Sequence, residues 1–187
     1  MCLFVTTGTL CADILYIKDE GISSGITDYD SACPMTPYGY CWDIGSRNVL
    51  QHLSVQNGRL VLPHGMSYRL LVLTPMKRCS PELLRQIKRL IGQGATVLLS
   101  SEKPEGYMGM DLVKDKAVKL LAAELWNMAG KENVYHSKIA TSSEKCCISP
   151  IFLYCRNKEC TDSFIHRAVN GDDVYFVANH RRRMEKI

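Results

Sequence analysis

Cys79 lies between an apolar run, "RLLVLT" (69–74), and a helix start at Pro81. A thiol on such a strand-to-helix turn is where a cysteine hydrolase holds its nucleophile, with a histidine and an acid close by. The surroundings, "TPMKRCSPE", lack the glycines that let that turn bend sharply, and His136 and His166 are distant in sequence. The residues therefore favour a surface thiol before a helix cap over a working Cys-His site. Paired carboxylates would suggest sugar chemistry, which needs two acids about 5–10 Å apart across a cleft. Asp28 with Asp30 and Asp172 with Asp173 are the near-neighbour pairs. The second pair stands in a turn, where aspartate is favoured for backbone reasons. Asp28 and Asp30, in a long polar stretch, are the better contacts for a polar ligand, and His64 and Tyr68 join them as ligand-contact candidates.

Metal and nucleotide chemistry find less support. Cys146, Cys147, Cys155 and Cys160 form a cluster, but structural zinc sites prefer ligand pairs two to four residues apart. An adjacent pair and a four-residue gap do not fit, so no metal ligand is assigned. Neither G-x-G-x-x-G nor G-x-x-x-x-G-K-[ST] occurs, and "GYMGMD" follows no clear strand. No cofactor is expected.

The elements that would position these residues are easier to read. "ADILYI" (12–17) is a short buried strand, followed by a loop from Lys18 to about Tyr40 with no periodicity. Asp43 reads as the N-cap of a helix through "IGSRNVLQHL", with Val49, Leu50 and Leu53 on its apolar face and His52 beside them. "LSV-QNG-RLVL" is a hairpin turned at Asn57-Gly58, stopped by Pro63-His64-Gly65. "RLLVLT" and "ATVLLS" (95–100) lack alternation, as strands covered on both faces do. Between them, Ser80-Pro81-Glu82 opens a helix whose Leu83, Leu84, Ile87, Leu90 and Ile91 share one face. A further helix from about Asp111 to Met128 is expected to bury Val113, Ala117, Leu120, Leu121 and Leu125, with Trp126 packed near them. "NVYHS" reads as one more short strand. After residue 137 comes a linker, then β-rich "ISPIFLYC" and the hairpin "SFIHRAV-NGDD-VYFVAN", turned at Asn170-Gly171.

The fold class is thus α/β: an open, mostly parallel sheet flanked by helices over residues 1–137, then a linker and a short β-rich stub over 138–187. The chain has 187 residues, 46% of them hydrophobic, long enough for one substantial core. Its net charge is +4, and Arg181, Arg182, Arg183 and Lys186, set against Glu185, supply three of those charges. The body is nearly neutral, and no groove-reading module accompanies the basic tail, so nucleic acid is not an expected partner. No apolar run approaches a membrane span. The first residues lack the pattern of a secretion signal, and nine cysteines with no framework spacing suit a reduced, cytoplasmic chain.

"VLQHLSVQNGRLVLPHGMSYRLLVL", "SPELLRQIKRLIGQGATVL", "ADILYI" and "FIHRAVNGDDVYFVAN" together resemble a segment of the large α-L-rhamnosidases of glycoside hydrolase family 106. The resemblance spans roughly residues 11–179. It implies a class I glutamine amidotransferase-like α/β domain, similar also to the trimerisation domain of certain β-galactosidases. It further implies that the catalytic acids and calcium site belong to a preceding barrel, so no catalytic residue is carried over. Three departures stand out: Gly39-Tyr40-Cys41-Trp42-Asp43 where the family tends to have "GYDYD", His64 where it has aspartate, and "HRRRMEKI" after Asn179 where it continues into strands. The expectation is a non-catalytic accessory fragment of a rhamnosidase-like glycosidase, cut from a longer frame. A stand-alone binding or oligomerisation module is the alternative. The partners implied are a carbohydrate, the missing catalytic domain, or further copies in a homo-oligomer. Members of that family are commonly exported.

Overall fold

The computed structural model describes residues 7–18, 39–131, 133–136 and 163–178. Its strands are β1 (Thr9–Leu10), β2 (Ile14–Ile17), β3 (Trp42–Gly45), β4 (Ser54–Gln56), β5 (Arg59–Val61), β6 (Ser67–Tyr68), β7 (Leu70–Leu73), β8 (Arg78–Cys79), β9 (Val97–Leu99), β10 (Gly106–Tyr107), β11 (Val134–His136), β12 (Ser163–Val169) and β13 (Asp172–Ala178). The described helices are α1 (Arg47–His52), α2 (Pro81–Gly92) and α3 (Leu112–Asn127).

Five strands form the central sheet in the order β11-β9-β7-β2-β3, and every pairing is parallel. Taken in chain order this is the 2-1-3-4-5 arrangement of doubly wound sheets. Every residue of β2, β7 and β9 is buried, which is why their sequences show no alternation. One face carries Leu15, Ile17, Leu71, Leu73, Val97 and Leu99 into the main core, together with the apolar faces of the helices. The other face carries Ile14, Tyr16, Leu70, Val72 and Leu98, with Trp42 edge-on to Tyr16 at 6.0 Å.

The turn chemistry behaves as its residues dictate. Asn57 and Gly58 have φ of 52° and 75°, and β4 pairs antiparallel with β5. Gly65, at φ 95°, ends that ribbon and returns the chain into β6. Ser80 caps α2, its hydroxyl accepting from the Leu83 amide at 3.2 Å. Asn170 and Gly171, at 54° and 94°, join β12 to β13.

Three expectations fail. Asp43 is not a helix cap: it lies in β3, where Leu15 is its partner, and the helix starts later, at the Ser46 cap. Parallel pairing with β2 outweighs the local capping signal. In α3 the buried residues are Val118, Ala122 and Leu125, whereas Val113 and Leu120 are 78% and 68% exposed. Apolar residues ring this helix, so periodicity alone could not choose the inner side. Cys79 is fully enclosed in the core rather than exposed, because β8 pairs with β10 and draws it inward.

The carboxy-terminal hairpin does not stand apart from the amino terminus. Strand β1 pairs antiparallel with β12, Thr9 opposite Ala168 and Leu10 opposite Arg167. The Arg167 guanidinium donates to the carbonyls of Thr7 and Gly8 at 2.6 and 2.7 Å. The result is a second, three-stranded sheet, β1-β12-β13.

Candidate functional site at the amino edge of the sheet

Two residues join β1 to the residue before β2, so the chain passes from the small sheet to the large one through Cys11, Ala12 and Asp13. The main chain is stitched on both sides there. The Cys11 amide donates to the His166 carbonyl at 2.9 Å, the Asp13 amide to the Cys41 carbonyl at 2.7 Å, and the Arg69 amide to the Asp13 carbonyl at 2.8 Å. Asp13 is wholly buried. Its carboxylate accepts from the Cys41 amide at 3.3 Å and from the Arg69 guanidinium at 3.4 Å. Burial pushes its pKa up, while the Cys41 amide and the Arg69 charge pull it back.

The hairpin adds a histidine to this junction. His166 is 6% exposed, its Nε2 lies 2.7 Å from Asp173 Oδ1, and its ring stacks on Tyr175 with centroids 4.3 Å apart. Nε2 faces the Asp173 carboxylate, while Nδ1 is buried with no hydrogen-bond partner among the described residues. Histidine beside an acid is half of a nucleophile-activating set, but the nearby thiols do not supply the other half. Burial pushes Cys41 up to about 11 and Cys11 above the usual thiol value. A nucleophilic cysteine needs the opposite shift. Asp13 with Arg69 and the Cys41 amide, and His166 with Asp173 inside the small sheet, are polar contacts made within the fold on either side of the junction.

The four ligand-contact candidates fare differently. Asp28 and Asp30 lie outside the described residues. His64 is exposed at the ribbon turn. Tyr68 is buried, and its hydroxyl donates to Asp43 Oδ2 at 2.9 Å. Burial, then the Asp43 charge, pushes the Tyr68 hydroxyl pKa well above the usual tyrosine range. Asp172 and Asp173 diverge, since successive strand residues point to opposite faces; only Asp173 reaches His166. The cysteine cluster 146–160 lies outside the described residues, and among those described no group of three or more His, Cys, Asp or Glu could hold a metal. Doubly wound sheets bind ligands at the carboxyl ends of their strands, at the switch point between β2 and β7. There the Thr74 hydroxyl donates to the Ile17 carbonyl at 2.7 Å, a tie between strand ends rather than an acid–base pair. Sequence reasoning did not single out Asp13, Arg69 or the His166–Asp173 pair as a site. The available signal was an aspartate directly preceding the fully buried "ILYI".

The family model described as alpha-L-rhamnosidase, glycoside hydrolase family 106, matches residues 1–187. A protein of Formosa agariphila named "Putative beta-glucuronidase" is 32% identical over 149 residues, covering 80% of this chain and 13% of that protein. The solved structure of a rhamnosidase from Novosphingobium sp. PP1Y superposes with a TM-score of 0.75 at 21% identity, over 95% of this chain and 18% of that one. This chain thus spans less than a fifth of the length of either relative. At that identity the superposition speaks for the fold, and the match along all 187 residues speaks for descent. The chain belongs to glycoside hydrolase family 106, the alpha-L-rhamnosidase family.

Proposed function

We propose that this chain is a non-catalytic accessory segment of an α-L-rhamnosidase-like glycoside hydrolase. The parent activity would be hydrolysis of terminal α-L-rhamnosyl links in polysaccharides. The observation that carries the reading is how three acids of the two sheets are used. Asp13 is held by Arg69 and the Cys41 amide, Asp43 accepts from Tyr68, and Asp173 meets His166. A glycosidase needs two carboxyl groups facing each other across an open cleft, and these three are spent on internal contacts.

The strand order 2-1-3-4-5 supports the finer reading of the α/β part as class I glutamine amidotransferase-like, a fold used here as a supporting layer. The enclosure of Cys79 in the core speaks against a cysteine hydrolase on the same scaffold. Incubation of the purified chain with an aryl α-L-rhamnoside tests the proposal. No release of the aryl alcohol above a heat-denatured control is expected, and turnover that follows the folded fraction would refute it.

A further inference from the structure

We infer that Asn57-Gly58 is a site of uncatalysed covalent modification, where the asparagine converts to isoaspartate through a cyclic imide. The sequence carries two Asn-Gly pairs, Asn57-Gly58 and Asn170-Gly171, and both are exposed hairpin tips. Neither asparagine side chain has a hydrogen bond among the described residues, in contrast to Asn133, whose Nδ2 donates to the Gly94 carbonyl at 3.2 Å. The ladders close through Gln56 with Arg59 and through Val169 with Asp172, which leaves the Gly58 and Gly171 amides outside the pairing. A Cβ added at either glycine would meet nothing within 4 Å, so no neighbour shields the amide nitrogen.

The reaction balances with water as the only co-reactant. The Gly58 nitrogen, having lost its proton, attacks the Asn57 Cγ. The new N–Cγ bond forms as the Cγ–Nδ2 bond breaks, and ammonia leaves carrying that proton. Water then adds to one of the two ring carbonyls. Cleavage between the nitrogen and the former main-chain carbonyl frees that carbon as a carboxylate and leaves the chain running through Cβ and Cγ, which is isoaspartate. Cleavage on the other side of the nitrogen gives aspartate.

The turn itself restrains the attack. Asn57 and Asn170 are left-handed, at φ of 52° and 54°. In that conformation the following nitrogen stands nearly opposite Cβ across the Cα–C bond, so the tip must swing open before the ring can close. Ease of opening therefore ranks the two sites. Strands β4 and β5 have three residues each, β12 and β13 seven each, and the shorter ladder frays more readily. Charge acts in the same direction. Arg59 follows Gly58 and favours the amide anion, whereas Asp172 and Asp173 follow Gly171 and oppose it. Asn57 converts first. Isoaspartate there adds a methylene to the main chain beside the closing pair, Gln56 with Arg59, and loosens the ribbon that carries the buried Leu60. This inference goes beyond the accessory-segment reading and holds whether or not the chain turns over a rhamnoside.

Ageing the folded 187-residue chain in mildly alkaline buffer beside a urea-unfolded control is the test, with peptide mapping by mass spectrometry. An isoaspartyl methyltransferase with a labelled methyl donor separates isoaspartate from aspartate. In the folded chain, conversion at residue 57 should outrun that at residue 170 by at least ~3-fold, and urea should narrow the ratio by speeding residue 170 more. Asn57→Gly keeps a residue at ease with positive φ and should abolish the earlier signal. In the isoaspartyl fraction, hydrogen exchange over residues 54–61 should accelerate. Asn57 remaining intact while the unfolded control converts overturns the inference, as does Asn170 converting first. So does a signal that survives Asn57→Gly, or exchange in the ribbon that ageing leaves unchanged.

Discussion

Replacing Arg69 by glutamine should cost stability in a way that depends on pH. Asp13 is fully buried, and its charge is answered by one guanidinium contact at 3.4 Å and one amide at 3.3 Å. Removing one partner of a buried pair costs about 3–5 kcal/mol, because the remaining charge is left uncompensated. The Arg69 side chain is 34% exposed, so solvent already screens part of the attraction. We therefore expect about 2 kcal/mol at pH 7, a fall in Tm of about 4–8 °C. Asp13 has a raised pKa in the fold, so its contribution to stability is fully present below the ordinary aspartate value and is lost as pH rises through the folded-state value. Without Arg69 that folded value climbs further. The deficit of Arg69→Gln must then be largest at neutral pH and shrink as acid protonates Asp13. Urea unfolding at pH 7 and in mild acid, run as a double-mutant cycle with Asp13→Asn, separates this pair from the other contacts of Arg69. A deficit equal at both pH values, or a coupling below about 0.5 kcal/mol, would refute the reasoning.

Four further outcomes follow from the same geometry. Ultraviolet titration of the folded protein should leave Tyr68 un-ionised through the normal tyrosine range, and Tyr68→Phe should remove that late component while costing about 1 kcal/mol. Cys41 and Cys79, both buried, should resist an aromatic disulfide reagent at pH 8 until denaturant is added; mass spectrometry of the labelled peptides reads this directly. Ser80→Ala should destabilise by about 1 kcal/mol in chemical unfolding through loss of the α2 cap. Gly8→Ala should detach β1 from β12, because Gly8 sits at φ +77° and an added Cβ would overlap the Ala168 carbonyl oxygen; hydrogen exchange at the Cys11 amide should then accelerate.

Much of the scaffold could be read before any coordinates. Continuous apolar runs such as "RLLVLT" announced buried strands, and Asn-Gly pairs announced both hairpins, since each signal depends only on neighbouring residues. What escaped depends on distant partners. Asp43 has the chemistry of a helix cap, yet β2 claims its backbone. Helix α3 offers two apolar stripes, and only α2 and the sheet decide which is buried. The junction at Asp13 unites residues 28 and 56 positions apart with a hairpin more than 150 positions away, and no local pattern encodes such a meeting.

The pairing of β1 with β12 also constrains how this chain comes to its final form. Its two strands lie more than 150 residues apart in sequence, so a ribosome must deliver residue 168 before Thr9 can pair with it. At about 5–20 residues per second, the first strand waits on the order of ten seconds with its hydrogen-bonding edge unanswered. Shortening the chain ahead of residue 163 would make that wait permanent, and the Cys11 amide would lose its acceptor, the His166 carbonyl.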